Sequence, residues 1–136
     1  MHLYMLDTDI CSYIIKKHPV SVLAQFEQLK TEQLCISVVT YAELHYGVTR
    51  STSQKVNLPI VENFTSRLII LPWDKNAAVQ YGQLRTSLEN DGIPIGCMDM
   101  MIAAHALAQE CTLVTNNLKH FQRIPQLHVE NWVKLT

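Results

Sequence analysis

Asp7 and Asp9 close a short apolar run, Leu3 to Leu6, within the first ten residues. Two more carboxylates, Glu43 and Asp99, stand far downstream near the starts of apolar, helix-periodic segments. A strand that ends in an aspartate, joined by carboxylates on helix starts, is an economical holder of a divalent cation. Hard cations such as Mg2+ take oxygen ligands, commonly one or two protein carboxylates with water and phosphate. If the three acids converge, the chemistry they offer is metal-dependent phosphoryl transfer.

Each acid also has an explanation in helix capping. Thr8 or Asp9 suffices to cap a helix after the first strand, and Asp99 can head the segment Met100 to Gln109. Thr40-Tyr41-Ala42-Glu43 fits the capping box, in which threonine and glutamate reciprocally satisfy free amides. For any one acid alone, capping is the simpler account. Two features favour a site. Glu43 shares a helical face with Val39, Tyr46, Gly47 and Arg50. Asp99, with Ile102, Ala103 and Ala106 at the same offsets, turns toward the sheet if Gly96-Cys97-Met98 already begins the helix. An inward carboxylate without a partner is costly. With Thr8 or Asp9 available as a cap, Asp7 is free to face a crevice.

The elements that must position these acids alternate between strand and helix. Strands are expected at 3–7, 34–37, 68–71 and 112–115, with a short edge strand at 127–130. The first helix ends before Pro19, because the residue before proline avoids the helical region. Ser21 caps a second helix to about Lys30. Further helices are expected over Val39 to Arg50, Val56 to Arg67, Asp74 to about Glu89, and Met98 to Gln109. Asn90-Asp91-Gly92 terminates the long one. Short strands that are apolar throughout, separated by helices, indicate an α/β fold: a mostly parallel sheet of four to five strands with helices on both faces. Ligands of such sheets bind beyond the carboxyl ends of the strands, where Asp7, Ser37, Thr115, Asn116 and Asn117 fall.

Composition narrows the class further. With 136 residues, 48% of them hydrophobic and 17% charged, the chain reads as one globular domain over 1–136. No apolar run approaches the roughly 20 residues of a membrane span, and the first residues lack the pattern of a signal peptide. Cys11, Cys35, Cys97 and Cys111 show neither a C-x-x-C pair nor zinc spacing, so reduced thiols and a cytoplasmic location are expected. A net charge of −1 argues against coating nucleic acid by electrostatics alone. It leaves room for a grip at a metal site, where a cation neutralises the acids.

Four motifs resemble one family: Leu6-Asp7-Thr8-Asp9, Tyr41-Ala42-Glu43-Leu44-x-x-Gly47, Pro94-Ile95-Gly96-x-x-Asp99-x-x-Ile102-Ala103-Ala104-His105-Ala106, and Val114-Thr115-Asn116-Asn117-x-x-x-Phe121. Together they resemble the PIN-domain ribonucleases, and more narrowly the VapC toxins of type II toxin–antitoxin pairs, over essentially the whole chain. The resemblance implies an α/β/α PIN domain, usually homodimeric, that hydrolyses RNA with Mg2+ or Mn2+ and is silenced by a VapB-like antitoxin. By position Asp7, Glu43 and Asp99 match the three main acids of that family, with Asp7 and Asp99 as direct metal ligands and Glu43 as a third. Asp9, Thr8, Thr115, Asn116 and Asn117 are expected to orient ligands or water from behind. His120 stands where the family commonly has a fourth acid, and is carried as a catalytic candidate. Arg85, Lys119 and Arg123 are candidates for contacting RNA phosphates.

Two other readings compete. A receiver-like Mg2+-binding signalling domain needs an acceptor aspartate closing a central strand and a lysine closing a later one, but Ile70-Leu71-Pro72 and Thr115-Asn116-Asn117 supply neither. A PIN-fold module that binds RNA or protein without catalysis would have His120 as its symptom. The retained carboxylates argue against it.

Overall fold

In the computed structural model, which describes residues 2–134, five strands form one sheet. They are β1 (Tyr4–Leu6), β2 (Leu34–Ser37), β3 (Ile69–Leu71), β4 (Thr112–Val114) and β5 (Val129–Glu130), in the order β3-β2-β1-β4-β5. Every pairing is parallel, with Met5 opposite Cys35 on one side and Leu113 on the other. Parallel neighbours need crossover connections, and helices supply them: α1 (Thr8–Lys16), α2 (Val20–Gln28), α3 (Val38–Arg50), α4 (Gln54–Thr65), α5 (Lys75–Asn90), α6 (Cys97–Gln109) and α7 (Leu118–Phe121).

Because successive strand side chains point to opposite faces, the central strands feed two cores. Met5, Cys35 and Leu113 face one layer, with Leu84 and Leu88 of α5, Ile102 and Ala103 of α6, and Phe121. Leu6, Leu34, Ile36 and Val114 face the other, with Ile10, Val22, Phe26, Leu44 and Phe64. The α6 stretch Ile102 to Ala106 is wholly buried, and its alanines let the helix lie close to its neighbours. The sheet and its two covered faces are as the sequence indicated.

Several boundaries differ from expectation, each for a local reason. Pro19 precedes α2 in extended conformation, so the helix starts at Val20. Ser21 therefore lies within its first turn, and its hydroxyl accepts the Lys134 amide at 3.0 Å. Ser37 caps α3, so this helix begins at Val38. A 3-10 turn at Thr31–Gln33 and the single turn α7 were not expected, being too short to show a helical period. β3 is apolar but sits at the edge of the sheet, leaving Ile69 and Ile70 exposed. All four cysteines are free, and Cys11, Cys35 and Cys111 are buried. Among the described residues no helix is long and apolar enough to cross a membrane.

Candidate active site

Asp7 continues β1 by one residue: its amide donates to the Val114 carbonyl at 3.0 Å, which sets it at the carboxyl end of the central strand. From there its carboxylate accepts the Ile10 amide at 3.0 Å and caps α1. This corrects the expectation that Thr8 or Asp9 would cap and leave Asp7 free; Asp7 serves both roles from one position. The side chain is only 6% exposed. Burial pushes its pKa up to about 6 against the ordinary 3.8. The Thr115 hydroxyl and the Ile10 amide act against that rise, while Asp9 and Asp99 add to it.

Glu43 reaches the same place from the second turn of α3. The Thr8 hydroxyl donates to its Oε1 and turns the carboxylate toward the end of β1. The capping box expected at Thr40 does not form. Ser37 Oγ accepts the Val39 amide at 3.1 Å instead, and Thr40 lies inside the helix, fully buried, its hydroxyl without a partner.

Asp99 is the third residue of α6, after Gly96, which caps through its backbone alone. It is half-buried in the first turn, where the helix dipole favours an anion. Its carboxyl is nonetheless held above the ordinary value by burial first, then by Glu43 and Asp9, with His120 acting the other way. The acids of β1, α3 and α6 therefore feel one another's charge. His120 is fixed by Asn117, whose side-chain nitrogen is 2.8 Å from Nδ1. The Asn117 amide in turn donates to the Thr115 hydroxyl at 3.0 Å.

Not every candidate is drawn in. Asn116 is tied to Tyr13 and Asn131, at 3.2 Å each. Asp9 is exposed at the rim, and Lys119 is exposed on α7. Arg85 is bound to the Tyr81 hydroxyl at 2.9 Å and to Glu89 at 3.4 Å. It approaches the start of α6 only through Tyr81, whose hydroxyl is 3.5 Å from Cys97 Sγ. Arg123 lines a small cavity of about 150 Å³ against α5. The cations beside Asp9 and Glu43 are Lys16 and Arg50. They line a cleft of about 580 Å³ together with Thr8, Asp9, Glu43 and Gly47. The signal for Arg50 was in the sequence, two helical turns beyond Glu43, but Lys16 gave none.

The donor set suits a hard cation: carboxylate oxygens, crowded, partly buried and mutually repelling. Among the described residues, no three Asp, Glu, His or Cys side chains form a ready group of ligands. The acids thus lie within electrostatic range of one another. The chemistry of the donor set fits such an ion.

The PIN domain profile matches residues 4–127. Ribonuclease VapC2 of Rickettsia felis is 47% identical over 97% of this chain and 99% of its own. The tRNA(fMet)-specific endonuclease VapC of Salmonella typhimurium is 43% identical over 95% and 97%. The crystal structure of DNA-bound VapBC from Salmonella typhimurium superimposes with a TM-score of 0.92 at 42% identity, covering 98% of this chain and 100% of that one. VapBC2 of Rickettsia felis, bound to a DNA fragment from their promoter, gives 0.90 at 45%. The strand order also excludes a receiver domain, whose sheet runs 2-1-3-4-5. By profile, sequence and fold, the chain belongs to the PIN domain family, in its VapC branch.

Proposed function

We propose that the chain is a Mg2+- or Mn2+-dependent endoribonuclease, the toxin of a type II toxin–antitoxin pair. What supports this is that Asp7, Glu43 and Asp99, carried by three elements, lie within electrostatic range of one another near the carboxyl end of the sheet. In this reading Asp7 and Asp99 hold the cation directly and Glu43 completes the set. Such an ion supplies Lewis acidity to the phosphoryl group and lowers the pKa of the attacking water.

The chain's own residues do the rest. Thr115 and the Ile10 amide hold Asp7 in place, and Thr8 holds Glu43. Asn117 anchors His120 beside Asp99, where its imidazole meets a phosphate oxygen or a water. Lys16 and Arg50 offset phosphate charge along the cleft, and Lys119, exposed on α7, is a further candidate. Positioning and charge dominate phosphoryl transfer, so this arrangement suffices for in-line attack.

The partners follow from the relatives. VapC proteins stand in VapBC assemblies, so a VapB-like antitoxin is the proposed inhibitor, and a second copy of the chain the proposed dimer mate, in the cytoplasm. The name of the Salmonella relative makes tRNA(fMet) the first defined RNA to try.

The test is digestion of total cellular RNA by the purified chain with Mg2+, Mn2+ or chelator, beside Asp99→Asn. Discrete fragments that require the cation and vanish in the variant support the reading. A folded chain that binds Mn2+ but cuts nothing would make it a binding module, with His120→Glu the variant to examine next.

A further inference from the structure

His105 lies on α6, six residues beyond Asp99, and is fully buried. Its Nδ1 is 2.7 Å from Ser37 Oγ at the carboxyl end of β2. The same oxygen accepts the Val39 amide and so caps α3, the helix that carries Glu43. A hydroxyl that accepts an amide can still give its own proton. With the Pro72 carbonyl accepting from the ring's other side, the consistent tautomer carries its proton on Nε2 and takes the Ser37 hydroxyl proton at Nδ1. Burial pushes the His105 pKa down, so the ring is neutral at neutral pH.

This residue is expensive where it stands. The Pro72 carbonyl accepts toward the ring and favours a proton on it, but at a geometry short of a full hydrogen bond to Nε2. A buried donor that is only weakly paired keeps part of a desolvation penalty that an apolar side chain of similar volume would avoid. Packing alone therefore does not explain it. Its hydrogen bond to Ser37 is the single side-chain hydrogen bond, among the described residues, that joins the β2–α3 junction to α6. Glu43 on α3 and Asp99 on α6 carry like charges near one another, and the two helices that bear them share no other side-chain hydrogen bond at this junction among the described residues.

We infer that His105 is a positioning residue: through Ser37 it holds α3, and with it Glu43, in register against α6, and with it Asp99. The inference rests on the ribonuclease reading of that acid site. It places one contact behind the carboxylates, tying together the two helices that carry them.

The test compares wild type with His105→Leu, His105→Asn, Ser37→Ala and the double variant Ser37→Ala/His105→Leu. Each is first shown to be folded by circular dichroism. Two quantities are read: kcat and KM for RNA cleavage, and affinity for Mn2+ in titrations without RNA. His105→Leu is expected to lower kcat and Mn2+ affinity by about tenfold, as loss of an outer partner of a metal site does, with KM nearly unchanged. His105→Asn, whose Oδ1 stands where Nδ1 stood, restores most of both, and the double variant is no worse than the worse single one. A folded His105→Leu with wild-type kcat and Mn2+ affinity would overturn the inference, as would His105→Asn falling equally far. Should His105→Leu not fold, Ser37→Ala must lose what His105→Asn keeps. If wild type cuts no RNA, the ribonuclease reading fails on its own, and the Mn2+ affinities still decide the role of His105.

Discussion

Asp7 shows how a single side chain sets function against stability. It caps α1 through the Ile10 amide, and it is buried among other acids with its pKa near 6. Its folded value lies above the ordinary 3.8, so the folded chain binds this proton more tightly than the unfolded one. The protonated form's stabilising contribution is complete below about pH 3.8 and is lost as pH rises through about 6. The difference corresponds to roughly 3 kcal/mol. Asn caps about as well as Asp. Asp7→Asn is therefore predicted to raise the melting temperature at pH 7.5 in chelator and to do nothing at pH 4, while abolishing cleavage. Melting curves at the two pH values check this; destabilisation at pH 7.5 would contradict it. Wild-type cleavage should itself decline as pH falls through about 6. The three acids were legible as candidates because each stands beside a strand end or a helix start. That Asp7 itself caps α1 was not, since Asp7, Thr8 and Asp9 are all competent caps and only the end of β1 selects among them.

At the scale of elements, the start of α3 carries the lesson. Thr40-x-x-Glu43 satisfies a local capping pattern, but β2 ends in Ser37, which reaches the Val39 amide first. Thr40 is left buried with an unpaired hydroxyl, and Glu43 is released to accept from Thr8. A local pattern lost to the place where the strand stops, which only the sheet determines. Thr40→Val removes the unpaired group at nearly constant shape, and should stabilise the chain by about 1 kcal/mol without altering cleavage. Urea unfolding reads the change; a loss of stability would mean that the hydroxyl has a partner. The edge position of β3 was hidden for a similar reason. Ile69-Ile70-Leu71 reads as a buried strand, and apolar content alone does not reveal that only β2 pairs with it.

Across the whole molecule, a parallel sheet brings residues 7, 43 and 99 to one end, although the sequence separates them by more than thirty positions each. Alternating strand and helix made the layers readable; the order β3-β2-β1-β4-β5 was not, because crossovers of similar length allow several orders. Net charge also acts at this scale. The chain carries −1 overall, and Asp9 and Glu43 line the cleft proposed to receive RNA. A cation must neutralise them before a polyanion can approach. Mn2+ or Mg2+ at about a hundred times its dissociation constant should stabilise the fold by about 2.7 kcal/mol. That gain should disappear in Asp99→Asn, and an equal shift in both proteins would mean the ion binds elsewhere.

The central claim is that these acids form one cation-dependent cleavage site, and the rate of cutting of tRNA(fMet) tests it most directly. Wild type and Asp99→Asn would be compared at pH 7.5 across a Mn2+ titration, with folding verified for both. The predicted result is a rate that rises from zero with Mn2+ in the wild type and is lower by about a hundredfold or more throughout in the variant. Cleavage that persists in chelator, or that Asp99→Asn leaves unchanged, would contradict the account.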